Sequence, residues 1–403
     1  MTSTVYIAKN VYGGEGLGRL GDGRVVFVEG AFAGENVKAE IVEEKRHFVK
    51  ARLVEVVEPS PDRLGTAPAP IPGMVYANLA YAAECRAKEE QLRDFFERAR
   101  LPVLPNEKNF TLLKGGVDAA DPLHYRNKVV YHFARQRGAW AIGYRAEPSH
   151  EIVEVTEDPL AVPAINAALP EVRKGVIALL TQGPLAVRKA VEAKGKVTVR
   201  WTPRSGVKWW VGDAPRDLVL KETTLGLTFD VPAGGFYQVN PKAGEALVQA
   251  VVDAYRAGAA EAGEVLDLYC GVGVFGLATG AEKLLGVESG REAIAYAKRN
   301  AVLHKRPQAR FLAEEVGRCV KRLNIGPQTT VIVDPPRGGL EKGVARQLAG
   351  SRAPRIFYVS CDPATLTRDL RELAAGYRIA SVRWVDMFPR TARFETLVGL
   401  VKA

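Results

Sequence analysis

The stretch LDLYCGVGVFGL, residues 266–277, decides the fold of this chain. An apolar run containing Asp267 ends in a turn with Gly271 and Gly273, and a second apolar segment follows. This order is typical of a first strand that turns directly into a first helix. Glycines at such a turn let the backbone approach a ligand, and the amides at the start of the helix can receive polar groups. We therefore predict a ligand site at this turn.

Seven apolar runs, alternating with helical segments, occupy the chain from about Gly263 onward. They are EVLDLYC, KLLGVES, ARFLAEE, TTVIVDPP, RIFYVSC, IASVRWVDMF and FETLVGLVKA. Alternation of this kind is typical of a doubly wound, mostly parallel sheet. The last two runs are joined too tightly for a crossover helix, so we expect them to pair antiparallel. We predict a Rossmann-like α/β domain over residues 236–403.

The second predicted strand ends in an acid that narrows the class of ligand. The turn lacks the third glycine of the dinucleotide pattern, and the next acidic strand end is Glu288 in GVES. A carboxylate there can accept hydrogen bonds from a ribose diol. Asp267, the two glycines and Glu288 together favour S-adenosylmethionine over a dinucleotide. A structural turn followed by a solvent-facing acid is the alternative.

Composition and charge limit the partners. The chain has 403 residues, a formal charge of +10 and a pI of about 9.3, so nucleic acid is the expected partner and a basic surface that binds nothing is the alternative. Without an uncharged membrane span or a secretory signal pattern, we expect a cytoplasmic protein with no membrane partner. Four widely spaced cysteines and five scattered histidines argue against a metal site.

The N-terminal half is organised differently. Residues 4–57 alternate apolar and polar residues between glycine turns, which predicts a small OB-like barrel over residues 1–60. The glycine-rich segment Tyr12–Gly18 precedes no helix, so we interpret it as a turn. Residues 58–73 are rich in proline, glycine and alanine, which is typical of a linker. For residues 61–235 we predict a central α+β domain that binds RNA. There, KVTVRWTPRSGVKWWVGD could stack bases on its tryptophans or bury them in a core.

Three reactive side chains stand at predicted strand ends. Asp334 ends the fourth strand, where two prolines stop the ladder. Cys361 ends the fifth strand just before Asp362-Pro363 opens a helix, whose N-terminus would lower the pKa of the thiol. Glu395 begins the last strand. A buried, inert cysteine is the alternative.

A thiolate and a carboxylate beside a methyl donor indicate one particular reaction. The thiolate adds to carbon 6 of a pyrimidine, and carbon 5 becomes nucleophilic and takes the methyl group. The carboxylate then removes the proton from carbon 5, so that the thiol can leave.

The chain resembles the S-adenosylmethionine-dependent RNA uracil-5 methyltransferases over nearly its whole length. Five motifs follow in the family's order: FYQVN (residues 236–240), DLYCGVGVF, DPPRGGL, VSCDPATLTRDL and DMFPRTARFE. The barrel resembles the family's RNA-binding TRAM domain through GEGLGR, FVEGAFAGENVKAEI and EPSPDR, and YRNKVVYHF resembles the opening of its central domain. The resemblance implies a class I methyltransferase domain with S-adenosylmethionine as cofactor. It also implies Cys361 as nucleophile and Glu395 as general base. The family's cofactor positions correspond to Gln238, Tyr269, Glu288, Asp334 and, less directly because Glu314 is adjacent, Glu315.

Three departures from the family pattern matter. Many members with a TRAM domain carry four cysteines for an iron–sulfur cluster, whereas the matching segments here offer only Cys85, so we predict no cluster and no metal. Asp362 replaces the usual asparagine, and its charge would oppose thiolate formation unless it is paired. Arg393 replaces a histidine two residues before Glu395, and Arg390 stands nearby. Either arginine could keep Glu395 ionised or grip phosphate.

The sequence therefore predicts a monomeric enzyme that makes 5-methyluridine in 23S ribosomal RNA. The ribosomal target rests on the TRAM domain, which bacterial family members dedicated to transfer RNA generally lack. Transfer RNA is the first alternative. A cytosine-5 methyltransferase is a second, which Glu395 after FPRTAR disfavours. An alternative of another class is an RNA-binding or folding factor with weakened catalysis, suggested by Asp362 and Arg393. The target base must leave its stack before a thiol can reach it, so we expect a basic channel from barrel to cleft.

Overall fold

The computed structural model describes residues 2–65, 70–101, 110–112, 122–146, 149–258 and 263–403. The first five strands are β1 Thr2–Asn10, β2 Gly16–Arg19, β3 Val25–Glu29, β4 Asn36–Glu44 and β5 Phe48–Glu58. They close into a barrel in the order β1-β2-β3-β5-β4. Alternate side chains such as Val5, Ile7, Val26 and Val28 fill its interior, as the period of two requires. The predicted barrel is confirmed, and the predicted turn is present: residues 11–15 join β1 to β2, while Gly16, Leu17 and Gly18 already belong to β2.

A helix and a second sheet follow the barrel; residues 66–69 of the predicted linker lie outside the described residues. The elements are α1 Tyr81–Ala99, β6 Phe110–Leu112, β7 Lys128–Gln136, β8 Ala139–Arg145, β9 Ile152–Glu154, α2 Pro163–Thr181, α3 Leu185–Lys194, β10 Lys196–Thr202, β11 Gly206–Val211, β12 Val219–Thr224 and β13 Leu227–Pro232. The sheet has the order β11-β10-β7-β8-β9, and β12 pairs with β13. Helix α3 is an addition to the predicted elements; none of its side chains is fully buried, so its apolar residues gave only a weak signal.

The tryptophan-rich hairpin of β10 and β11 buries some of its large side chains against the rest of the molecule. Trp210 is buried, and the ring of Trp209 lies so close to α2 that a Cβ atom on Gly175 would come within 2.7 Å of it. Arg200 is also buried and pairs with Glu222 at 2.8 Å. Buried rings cannot stack on bases, so the packing interpretation of this segment holds for Trp210.

The rest of the chain forms one large sheet with helices on both faces. Its elements are α4 Pro241–Arg256, β14 Glu264–Leu268, α5 Val274–Thr279, β15 Lys283–Glu288, α6 Arg291–Leu303, β16 Arg310–Ala313, α7 Val316–Val320, β17 Thr329–Val333, α8 Val344–Ala349, β18 Arg355–Ser360, α9 Pro363–Leu373, β19 Tyr377–Val385 and β20 Glu395–Lys402. The strand order is β16-β15-β14-β17-β18-β20-β19-β6. The seven predicted strands are present, and the last two pair antiparallel. An eighth strand, β6, adds to the edge from the distant central segment.

The strand order places a crevice above β14. Strands β15 and β17 lie on opposite sides of β14, and ligands bind where the connections of a doubly wound sheet diverge in this way. Strand β20 runs antiparallel to β18, so its first residue reaches the edge where β18 ends. The register ends at the pair Ser360 and Thr396, and Cys361 and Glu395 are the residues next to that pair in the two segments.

Helix α1 ties the loop before β20 to the rest of the molecule. The buried Lys88 lies 2.8 Å from Asp386 and 2.7 Å from Glu84. Removing one partner from a buried ion pair usually costs about 3–5 kcal/mol of stability, because the other charge stays buried without a partner. No helix within the described ranges is long and apolar enough to cross a membrane.

Candidate active site

A cavity of about 600 Å³ opens at the carboxyl edge of the large sheet, a size that suits a small-molecule ligand. Seven of the side chains and turns singled out from the sequence line it: Gln238, Tyr269, Gly271, Glu288, Asp334, Cys361 and Glu395. They come from the ends of five strands and from the segment before α4. The fold thus brings most of the predicted site together.

Two predicted residues lie apart from the cavity. Gly273 is the N-cap of α5 with φ of 89°, and a Cβ atom there would lie 3.1 Å from Leu277, so the turn favours glycine at this position; a cofactor role for Gly273 stays a prediction. Glu315 is exposed at the N-cap of α7 and does not line the cavity. Its neighbour Glu314 pairs with Arg322 instead. A cofactor role for Glu315 stays a prediction.

The turn after β14 fits S-adenosylmethionine. Gly271 has φ of 53° and open space where a Cβ atom would stand, so bare backbone faces the cavity. Tyr269 just before it also has a positive φ, of 63°, a strained conformation of the kind that clusters at functional sites. Across the cavity, the Glu288 carboxylate accepts a hydrogen bond from the Gly290 amide at 2.8 Å, which orients it. A fixed carboxylate beside bare backbone can receive a ribose diol.

Within the part of the chain that the structure describes, no three His, Cys, Asp or Glu side chains are grouped so that they could hold a metal ion.

The surroundings of Cys361 do not activate it. Asp362 caps α9 by accepting hydrogen bonds from the Ala364 and Thr365 amides, both at 3.0 Å. Burial raises the pKa of the Cys361 thiol to about 12, and the neighbouring Glu395 adds to this. The expectation that the helix N-terminus lowers this pKa is therefore wrong, because burial and nearby acids outweigh the helix, whose amides already bind Asp362.

The carboxyl groups around the thiol also have raised pKa values. Burial raises the pKa of Glu395 well above its ordinary value, and Asp334 reinforces the shift. Burial and the charge of Asp267 raise the pKa of Asp334 to about 7. Arg337 is the cation that favours the ionised forms of Cys361 and Glu395. The site can therefore accept and release protons at the thiol and at the carboxyl group opposite.

The two arginines noted in the sequence have other partners than expected. Arg390 is buried and donates a hydrogen bond to the Leu79 carbonyl oxygen at 2.5 Å, so it is not placed to grip phosphate. Arg393 donates to the Tyr12 hydroxyl at 2.6 Å and lies 3.6 Å from Asp362. The cation that lowers the pKa of Glu395 is Arg337 and neither of these two arginines. The position of Arg337 in the DPPRGGL motif was a signal in the sequence for this role.

Phe236, the first residue of the FYQVN motif, also lines the cavity, and the sequence alone gave it no role. It is 73% exposed, which is unusual for a phenylalanine, and it lines both the large cavity and a small adjoining one. An exposed ring at a cavity mouth can stack on a planar ligand.

Asp267 gives a prediction for stability. Burial raises its pKa from 3.8 to about 7. The native state then holds a proton that the unfolded state has lost, so stability falls as pH rises from about 4 to about 7 and is level above. We expect Asp267→Asn to remove this fall, so that between pH 5 and pH 8 it gains about 2–3 kcal/mol relative to the parent protein. Urea unfolding at both pH values measures this, and an unchanged difference would contradict it.

Comparisons with known proteins agree with this architecture. The sequence model of the tRNA (Uracil-5-)-methyltransferase family matches residues 218–403, and that of the TRAM domain matches residues 2–54. An uncharacterized RNA methyltransferase of Thermosynechococcus vestitus is 30% identical, over 96% of this chain and 95% of its own. Another, of Thermotoga maritima, is 30% identical over 100% and 99%.

A solved structure has the same overall fold. It is the crystal structure of the Pyrococcus abyssi tRNA (uracil-54, C5)-methyltransferase in complex with S-adenosyl-L-homocysteine. The match has a TM-score of 0.73 at 20% identity and covers 98% of this chain and 100% of that one. At that identity the likeness supports the fold.

Proposed function

The chain belongs to the S-adenosylmethionine-dependent RNA uracil-5 methyltransferases, and we propose that it methylates carbon 5 of a uridine in 23S ribosomal RNA through a covalent cysteine adduct. The observation that carries this proposal is that Cys361 and Glu395 line one cavity together with a turn that fits the cofactor. The cofactor supplies an electrophilic methyl group. The predicted domains over residues 1–60 and 61–235 would bind the RNA, and a cytoplasmic location belongs to the same proposal.

The first step is addition of the thiol to the base. Cys361 reacts as the thiolate, its proton having passed to water, and its sulfur forms a bond to carbon 6 of the uracil, which pushes the electron pair of the 5,6 double bond toward carbon 5. Because burial raises the pKa of this thiol to about 12, the ionised form needs a positive neighbour. Arg337 lines the cavity and favours that form. Carbon 5 then takes the methyl group.

The second step is elimination. Glu395 in its ionised form removes the proton from carbon 5, the electron pair restores the 5,6 double bond, and the bond between carbon 6 and sulfur breaks. The thiolate is regenerated and Glu395 holds the proton. Over the cycle a methyl group replaces a proton on carbon 5. Asp334, which lines the cavity between the two groups and the cofactor turn, would contact the base, and Gln238 and Tyr269 would hold the cofactor.

Phe236 gives a test of base binding. We expect Phe236→Ala to lower kcat/KM for RNA by about 10–100-fold, because stacking of one base on an aromatic ring is worth about 1–3 kcal/mol. The melting temperature should hardly change, since the ring is 73% exposed. Phe236→Tyr keeps the ring and serves as the control. If Phe236→Ala had parental kcat/KM, the stacking role would be wrong.

Ribosomal RNA and transfer RNA are separated by a direct assay. Purified protein, S-adenosylmethionine and either unmodified 23S RNA or unmodified transfer RNA are incubated, and 5-methyluridine is quantified by nucleoside mass spectrometry. Product in 23S RNA alone supports the proposal. Transfer RNA is the second candidate, because the transfer RNA methyltransferase of Pyrococcus abyssi covers 98% of this chain and the barrel alone does not separate the two. Product in transfer RNA alone would overturn the ribosomal target.

A further inference from the structure

We propose that Tyr12 of the N-terminal barrel and Arg393 are positioning residues for the reaction. Arg393 pairs with the charge of Asp362 beside the nucleophile, and Tyr12 holds Arg393 in place. The barrel would then be part of the active site as well as an RNA-binding module. The inference rests on the proposed function in one respect, namely that Cys361 is the nucleophile.

The contacts form a chain from the barrel to the nucleophile. Tyr12 stands in the turn between β1 and β2, and its hydroxyl accepts a hydrogen bond from the Arg393 guanidinium at 2.6 Å. The same guanidinium lies 5.2 Å from the centre of the Tyr12 ring, a cation–π distance. On its other side it lies 3.6 Å from the carboxylate of Asp362, the residue after Cys361.

Tyr12 is itself held from two directions. Its ring meets Phe95 of α1 edge-on, with the centroids 5.5 Å apart. It meets Phe394, which lies between Arg393 and Glu395 in the chain, in the same way at 5.9 Å. Because aromatic edge contacts have a preferred geometry, this packing fixes where the Tyr12 hydroxyl points. Burial raises the pKa of Tyr12 to about 12, so it stays a neutral hydrogen-bond acceptor at physiological pH.

The charges around Cys361 explain why this chain of contacts matters. Glu395 faces it from β20, Asp334 and Arg337 from the loop after β17, and Asp362 from the start of α9. Tyr12 faces it from the barrel. Three acids therefore surround the thiol, and a negative charge raises the pKa of a thiol. Asp362 directly follows Cys361 in the sequence, and Arg393 pairs with its negative charge.

The pair also accounts for both departures from the family pattern at once. Asp362 and Arg393, the two departures that the sequence shows close to the nucleophile, are an acid and a base in contact. The acid strengthens the cap of α9 by accepting two amide hydrogen bonds. The arginine offsets the charge that the acid brings to the nucleophile, so the two substitutions compensate each other.

The rate of alkylation of Cys361 tests the proposal without any RNA. Full-length protein is treated with iodoacetamide from pH 7 to pH 10, and the Cys361 peptide is quantified by mass spectrometry. We expect Arg393→Gln to react about tenfold more slowly at each pH, because one unpaired charge at this range shifts a pKa by about one unit. Asp362→Asn combined with Arg393→Gln should restore the parental rate to within about twofold. Tyr12→Phe keeps the ring but loses the hydroxyl, so its alkylation rate should lie between those of the parent protein and Arg393→Gln.

Controls separate this role from simple shielding. Arg378→Gln removes an exposed cation at the opposite end of β19 and should react like the parent protein. If Arg393 only covered the cavity, Arg393→Gln would react faster and Asp362→Asn would not change that, which would overturn the proposal. A parental rate for Arg393→Gln would overturn it too.

Steady-state kinetics give a second readout. Tyr12→Phe should lower kcat with little change in KM for RNA, whereas a residue that only bound RNA would raise KM. A change in KM alone would contradict a positioning role. If the parent protein formed no 5-methyluridine while the alkylation rates behaved as expected, the proposed function would fail and the charge compensation would stand.

Discussion

Cys361→Ala is expected to abolish the covalent complex with RNA and to lower turnover by more than about 10⁴-fold, because Cys361 carries the one thiol among the described residues that line the cavity. The complex is made visible with RNA that contains 5-fluorouridine. Fluorine on carbon 5 cannot be removed as a proton, so the elimination step stops and the adduct persists. With S-adenosylmethionine present, the parent protein should give a shifted band on a denaturing gel, and Cys361→Ala should give none.

A second thiol serves as the matched control. Cys85 is half-buried on α1, away from the cavity lining, and Cys85→Ala should form the adduct like the parent protein. Far-ultraviolet circular dichroism of Cys361→Ala shows whether the variant is folded. A shifted band with folded Cys361→Ala would assign the nucleophile elsewhere, and no band with the parent protein would remove the covalent mechanism.

Glu395→Gln is expected to trap the adduct on ordinary RNA. An amide cannot take the proton from carbon 5, so the methylated base stays bound to Cys361 and turnover falls by about 10²–10⁴-fold, the usual contribution of a general base. The complex should contain the methyl group, which radiolabelled S-adenosylmethionine would reveal in the gel band. Glu372→Gln, on the exposed face of α9, is the control and should release its product.

The same variant separates two roles for Glu395. If the carboxylate only oriented the base, Glu395→Gln would lose binding and leave no methylated adduct. Stability gives an independent check that the variant is folded. Burial raises the pKa of Glu395 well above its ordinary value, which means that the folded protein disfavours a charge there, so the neutral amide should leave the variant at least as stable as the parent protein at pH 8. A lower stability would show that the substitution disturbs the fold.

Sequence reasoning located the site because strand ends converge in this fold. Asp334 and Cys361 each follow an apolar run, and parallel strands bring their carboxyl ends to one edge whatever the details of packing. Glu395 could be added because a tight connection forces β20 to run the other way, which returns its first residue to that edge. The barrel followed from its period of two and its glycine turns.

The errors have one common cause. The pKa of Cys361 was expected to fall because a helix starts beside it, yet burial and neighbouring acids from other strands raise it to about 12. Arg390 was considered for phosphate binding, yet α1 and the segment before it enclose it. In each case the deciding neighbour is distant in the chain, so no local pattern contains it.

The sequence by itself determined the α/β order, the barrel and which side chains gather at the cofactor edge, because hydrophobic periodicity and strand direction are local properties. Only the tertiary structure decided which charges are paired. Tyr12 and Arg393 are far apart in sequence, and so are Lys88 and Asp386. Electrostatic effects depend on distance and burial in the folded molecule, and those exist only once barrel, helix α1 and sheet have packed together.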